Sequence, residues 1–89
     1  LRRLRGFKVR IIVRPHSIFR DRLGGDVILE FSEKEVVVKS ILDKLESMYK
    51  ISVIGVKPII IVNDEIVTEN YVVRGDSVEL HLVPPFSGG

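Results

Sequence analysis

The chain has 89 residues, 45% of them hydrophobic and 29% charged, with no cysteine. That length suits one domain with its own apolar core. The composition excludes a chain disordered throughout, a disulfide scaffold, thiolate metal sites and thiol nucleophiles. No apolar run approaches the roughly 20 residues needed to cross a bilayer, so no membrane partner is expected.

The start, Leu1-Arg2-Arg3-Leu4-Arg5-Gly6, is charged but has no apolar segment behind it. Residues 1–6 therefore read as a basic arm rather than a secretory signal, and the cytoplasm is the expected compartment. A pI of about 9.2 raises the question of nucleic acid. However, the positive excess sits in Arg2, Arg3 and Arg5; without them 11 basic residues face 12 acidic ones. The folded body shows no basic face, and nucleic acid is not the expected partner.

Residues 7–14, FKVRIIVR, place Phe7, Val9, Ile11 and Val13 on one side and charges on the other, the period of a half-buried strand. Pro15 is expected to stop it. His16 to Leu23 suit one irregular helical turn, and Gly24-Gly25-Asp26 turns the chain. Val27 to Phe31 then read as a second strand, antiparallel to the first.

Ser32-Glu33-Lys34-Glu35 has the S-x-x-E spacing of a capping box, with Phe31 and Val36 at the staple positions. Val38, Ile41, Leu42, Leu45, Met48 and Tyr49 follow at helical spacing, predicting an amphipathic helix over 35–50 with its apolar residues, Met48 included, in the core. Glu35–Lys39 and Glu46–Lys50 stand as supporting i,i+4 pairs.

Residues 58–63, PIIIVN, are nearly all apolar and predict a strand that is central or covered on both faces. Asn63-Asp64 forms a tight turn into Glu65-Ile66-Val67. A polar passage follows, and Arg74-Gly75-Asp76 marks a second turn. Ser77 to Val83 alternate as the last strand, ended by Pro84-Pro85. The order ββαβ(β)β, with one crossover helix, allows the closing strand to lie parallel to the first. The predicted fold class is α+β: a mixed four- to five-stranded sheet with one main helix on one face. His16 and His81 stand far apart in sequence with no clustered ligands, so neither a metal site nor a catalytic pair is expected.

Residues 84–89, PPFSGG, form a tail. Pro84 and Pro85 fix φ and lack an amide donor, so they predict a stiff extension leaving the sheet. Phe86 is a large apolar residue beyond the strand, which marks a contact with the fold or a partner. Ser87, Gly88 and Gly89 carry so little side chain that this end could enter a narrow channel. Its chemical group is the α-carboxylate of Gly89, ionised at neutral pH because such a group has a pKa of about 3.3–3.7. Adenylation by ATP would turn one of its oxygens into a leaving group, and glycine leaves the carbonyl unhindered.

The Pro-Pro–apolar–small–Gly-Gly ending resembles that of the MoaD/ThiS ubiquitin-like sulfur carriers, most of all the small subunit of molybdopterin synthase. Ile61 to Val67 are similar to that family's V-N-G/D-E-I-V hairpin, and Gly75-Asp76 to its turn before the last strand. The likeness spans roughly 7–89 and implies a β-grasp domain over 7–83.

It also implies a cycle. An adenylyltransferase related to ubiquitin-activating enzymes (MoeB/ThiF-like) would use ATP to adenylate Gly89. A persulfide sulfur donor would then convert it to a thiocarboxylate. The large subunit of molybdopterin synthase (MoaE-like) would accept the tail, with Pro84, Pro85, Phe86, Ser87 and Gly88 as its binding segment. The protein would then be a sulfur-donating carrier in molybdenum cofactor biosynthesis, with no catalytic residues or bound cofactor of its own. Phe86 departs from the smaller aliphatic usual in the family.

Alternatives are a protein modifier joined through Gly89 to lysines, a carrier for thiamine synthesis or tRNA thiolation, and, more remotely, a β-grasp module binding RNA or protein.

Overall fold

The structure, a computed structural model, describes residues 8–86. Phe7 and the arm 1–6 lie outside the described residues, as do Ser87, Gly88 and Gly89. The elements run β1 (Val9–Pro15), α1 (Ile18–Leu23), β2 (Val27–Phe31), β3 (Glu35–Val37), α2 (Val38–Tyr49), a 3₁₀ turn (Ile51–Ile54), β4 (Ile59–Val62), β5 (Glu65–Val67), β6 (Val72–Arg74) and β7 (Ser77–Val83).

Five strands form one sheet in the order β2-β1-β7-β4-β5, and β3 pairs with β6 in a separate two-stranded ladder. β1 and β2 are antiparallel, with Ile11 opposite Leu29. β7 lies parallel to β1, from Arg10 opposite Ser77 to Pro15 opposite Leu82. The crossover through α2 makes this possible, since parallel neighbours need a long connection.

Alternation along each strand divides the sheet into two faces. Val9, Ile11 and Val13 of β1, Leu29 of β2, Ile60 and Val62 of β4, and Leu80 and Leu82 of β7 are buried, together with Val38, Ile41 and Leu45 of α2. Phe19 of α1 is fully buried in the same core. This two-layer arrangement meets the predicted fold class.

Several local expectations are corrected. β1 does not stop before Pro15. The proline is the last residue of the strand, its ring is fully buried, and the ladder continues as the His16 amide donates to the Leu82 carbonyl at 2.9 Å.

The helix does not begin at the Ser32 capping box. Glu35–Val37 pairs instead with Val72–Arg74, burying Val36 opposite Val73. Three successive valines favour extended backbone, and cross-strand packing outweighs the cap signal. Two amide donors at the start of α2 are satisfied by chain carbonyls: Val38 donates to Tyr71 and Lys39 to Glu69, both at 2.9 Å. Glu35 accordingly pairs with Arg74 at 3.0 Å, and Lys39 with Asp43 at 3.2 Å. Met48 is half exposed rather than in the core, and Tyr49 is only partly buried. β4 meets its expectation as an interior strand of the sheet, with one face buried.

Two turns match their sequences. Asn63 and Asp64 both have positive φ, 54° and 65°, as a tight hairpin turn of the primed kind requires. Gly75 at φ 119° turns the chain from β6 into β7. A third turn was not legible. Ser17 has φ 54° and ψ −125°, and the Phe19 amide donates to the His16 carbonyl at 3.1 Å. This is a type II′ turn with serine at the position that favours glycine.

At the other end of α2, the Ser52 hydroxyl and amide donate to the Glu46 carboxylate at 2.7 and 2.8 Å. These bonds, led by the hydroxyl, hold Glu46 below its ordinary pKa near 4.5, with Lys50 and Arg22 adding to the effect.

Two measurements follow from these turns. Ser17→Gly relieves a positive-φ serine and should raise stability by about 1 kcal/mol in denaturant unfolding; a loss of stability contradicts the turn assignment. Because Glu46 titrates low in the folded state, its contribution is present above the ordinary carboxylate pKa and lost as pH falls through the lowered value. Ser52→Ala should move the Glu46 titration, followed by side-chain NMR, upward toward the ordinary value, and an unmoved curve would contradict the hydroxyl's leading part.

Candidate functional site: the tail root and the outer sheet face

The tail begins at the middle of the sheet, because β7 is the central strand and Val83 its last residue. Pro84 is buried against the fold, whereas Pro85 and Phe86 are exposed in a bend. The stiff extension expected from Pro84 is therefore corrected: the first proline anchors the tail, and the chain turns free only after it. A ring with no amide donor suits a position just past the ladder's end. Phe86 remains 46% exposed, large for a side chain this apolar. The reacting end, Ser87, Gly88 and Gly89, lies outside the described residues.

The face of the sheet opposite α2 was not read from the sequence at all. Alternation places Ile12, Ile28, Ile59, Ile61, Ile66 and Val83 on it. Ile12 stands opposite Ile28, and Ile61 opposite Ile66. Ile28 is 60% and Ile66 74% exposed. The available signal was an apolar residue where alternation calls for a polar one, as in the paired isoleucines of RIIVR and VILEF. Glu79 and His81 of the central strand lie between these two isoleucine pairs, and charges pair beside them: Arg10 with Glu30 and Arg14 with Glu79, each at 3.4 Å.

The same face brings together what the sequence separates. His16, after β1, and His81, in β7, meet at 2.9 Å between Nε2 and Nδ1. The expectation of two unconnected histidines is corrected: parallel pairing of the first and last strands makes them neighbours. Among the described residues no group of three or more His, Cys, Asp or Glu gathers as metal ligands, and no helix is long and apolar enough to cross a membrane.

No protein-family model and no curated protein matches the chain. Solved structures do. A protein described as molybdopterin converting factor, subunit 1, from Pyrococcus furiosus aligns with TM-score 0.75 at 17% identity, over 88% of this chain and 99% of that one. The chain has a MoaD/ThiS-like β-grasp fold. Small archaeal modifier protein 1 (SAMP1) from Haloferax volcanii aligns with TM-score 0.73 at 19% identity, over 90% of this chain and 99% of that one. SAMP1 from Methanosarcina acetivorans gives TM-score 0.67 at 18% identity, over 91% and 97%. At such identities the likeness establishes the ubiquitin-like β-grasp architecture, and the chemistry rests on this chain's own residues.

In this β-grasp domain Pro84 and Phe86 have separable roles. Phe86→Ala should leave stability within about 0.5 kcal/mol of the parent, as exposed substitutions do. Pro84→Gly should lower it by about 1 kcal/mol or more, through lost packing and a looser unfolded chain. Equal effects in thermal unfolding would contradict the division between anchor and free segment.

Proposed function

We propose that this protein is a ubiquitin-like sulfur carrier whose C-terminal Gly89 carboxylate is activated and converted to a thiocarboxylate. The observation that carries the reading is the placement of the PPFSGG tail. It leaves the central strand of a β-grasp sheet, anchored by buried Pro84 and followed by exposed Phe86.

The chemistry asks little of the carrier itself. A carboxylate oxygen of Gly89 attacks the α-phosphorus of ATP and pyrophosphate leaves. A persulfide then displaces AMP from the acyl adenylate, and a second thiol cleaves the resulting disulfide, leaving sulfur on the glycine carbonyl. Each step is carried out by partners, an adenylyltransferase of the MoeB/ThiF kind and a persulfide sulfur donor, before the loaded tail passes to a sulfur acceptor. The carrier supplies an unhindered carbonyl and a docking surface. The exposed isoleucines of the outer face and Phe86 are of the kind that mark protein contacts. The Pro-Pro ending favours the small-subunit role in molybdopterin synthase, with a MoaE-like large subunit receiving the tail and the protein acting in the cytoplasm.

A second reading has an observation of its own. The likeness to two SAMP1 structures, TM-scores 0.73 and 0.67, supports a modifier in which a lysine amine attacks the same activated Gly89. Both readings share the first step and part only at the nucleophile.

Incubation with an adenylyltransferase of this kind, ATP and a persulfide donor separates them. Carriage gives a product in which one carboxylate oxygen is replaced by sulfur, whereas modification gives higher-mass conjugates. Gly89→Ala should fold as the parent does yet exchange pyrophosphate at least tenfold more slowly, since a Cβ crowds the reacting carbonyl. Equal exchange rates would count against passage of the end through a glycine-sized channel.

A further inference from the structure

Two imidazoles meet where the tail leaves the sheet. His16 Nε2 stands 2.9 Å from His81 Nδ1, with ring centroids 5.1 Å apart and planes tilted by 32°. Their positions are fixed by the backbone. Arg14 is the register partner of His81, Pro15 that of Leu82, and the His16 amide is bonded to the Leu82 carbonyl. On its other side His16 opens the type II′ turn through Ser17, so the residue is held at both ends.

Glu79 lies on the same face, two residues before His81, with Oε1 3.6 Å from His81 Nε2. That is too long for a hydrogen bond, but the negative charge favours the proton on Nε2. His81 Nδ1 is then left with its lone pair toward His16. A carboxylate behind the distal nitrogen is the usual support of a ligating histidine. Both rings are open to solvent in part: the His81 side chain is 33% exposed and His16 more so.

Two adjacent imidazoles suit borderline divalent ions. The rings now stand end to end in a hydrogen bond, so an ion must reorient them before both lone pairs can reach it.

The geometry points to a two-imidazole site for a borderline divalent transition ion, Cu(II) or Ni(II), held by His16 and His81 at the root of the tail. Binding replaces the ring-to-ring hydrogen bond. The proton on His16 Nε2 passes to Nδ1 of the same ring, and both imidazoles turn to bring their lone pairs onto the ion. Water fills the remaining positions, since no third protein ligand gathers there among the described residues. The like charge of Arg14 is turned onto Glu79 at 3.4 Å. The bound ion ties the end of β1 to β7 directly beside Val83 and Pro84, and an open two-ligand site releases it to a chelator. The site is independent of how Gly89 reacts.

Titration of the full chain with Cu(II), and separately with Ni(II), tests this. The expected result is one equivalent bound, nitrogen couplings from two imidazoles in the Cu(II) electron paramagnetic resonance spectrum, and a raised thermal midpoint. His16→Gln and His81→Gln, both at solvent-accessible positions, should each lose at least tenfold in affinity together with the rise in midpoint. Glu79→Gln should lose up to about tenfold, the low end for an outer-shell carboxylate. Absence of binding by the parent overturns the assignment. So does binding of unchanged affinity in both histidine variants, which would place the ion elsewhere on the chain.

Discussion

The parallel pairing of the first and last strands is the constraint on which the molecule depends. β1 and β7 run together from Arg10 and Ser77 to Pro15 and Leu82, although most of the chain separates them. Their inward residues, Ile11 and Val13 against Leu80 and Leu82, are all fully buried. No short loop can join parallel neighbours, so α2 must cross over and in doing so covers the core. The same pairing makes the last strand central. It thereby sets the departure point of the tail, aligns His16 with His81, and places Glu79 and His81 between the two isoleucine pairs of the outer face.

A tail that leaves a central strand differs physically from one that frays from an edge. β7 is held by ladders on both sides, to β1 and to β4, so the base of the tail is fixed. Buried Pro84 sharpens the boundary between the anchored and free parts of the chain. On the proposed function, this arrangement would separate two tasks: the outer-face isoleucines of the body would serve recognition, and the end would supply an unhindered carbonyl.

The sequence was informative wherever one local signal acted alone. Period-two alternation located β1 and β7, the Asn63-Asp64 and Gly75 turns were legible from residue type, and much of the apolar face of α2 followed from its spacing. It misled where a distant partner decided the outcome. Ser32 to Glu35 has the composition of a capping box, yet Val72 to Arg74, more than thirty residues on, claims Glu35 to Val37 as a strand. Pro15 reads as a strand breaker, but a parallel neighbour needs nothing from its missing amide. The tail was recognisable from its residue types alone, whereas the outer face and the histidine pair exist only once the register of β1 against β7 is set.

The central claim is that Gly89 is the free, activated end of this carrier, and the intact mass of the protein isolated from its own cells tests it most directly. The account predicts a species ending at Gly89 in which part of the population carries sulfur in place of one terminal oxygen, or is joined through that residue to an amine. A native chain that continues past Gly89 without processing to expose it would contradict the account.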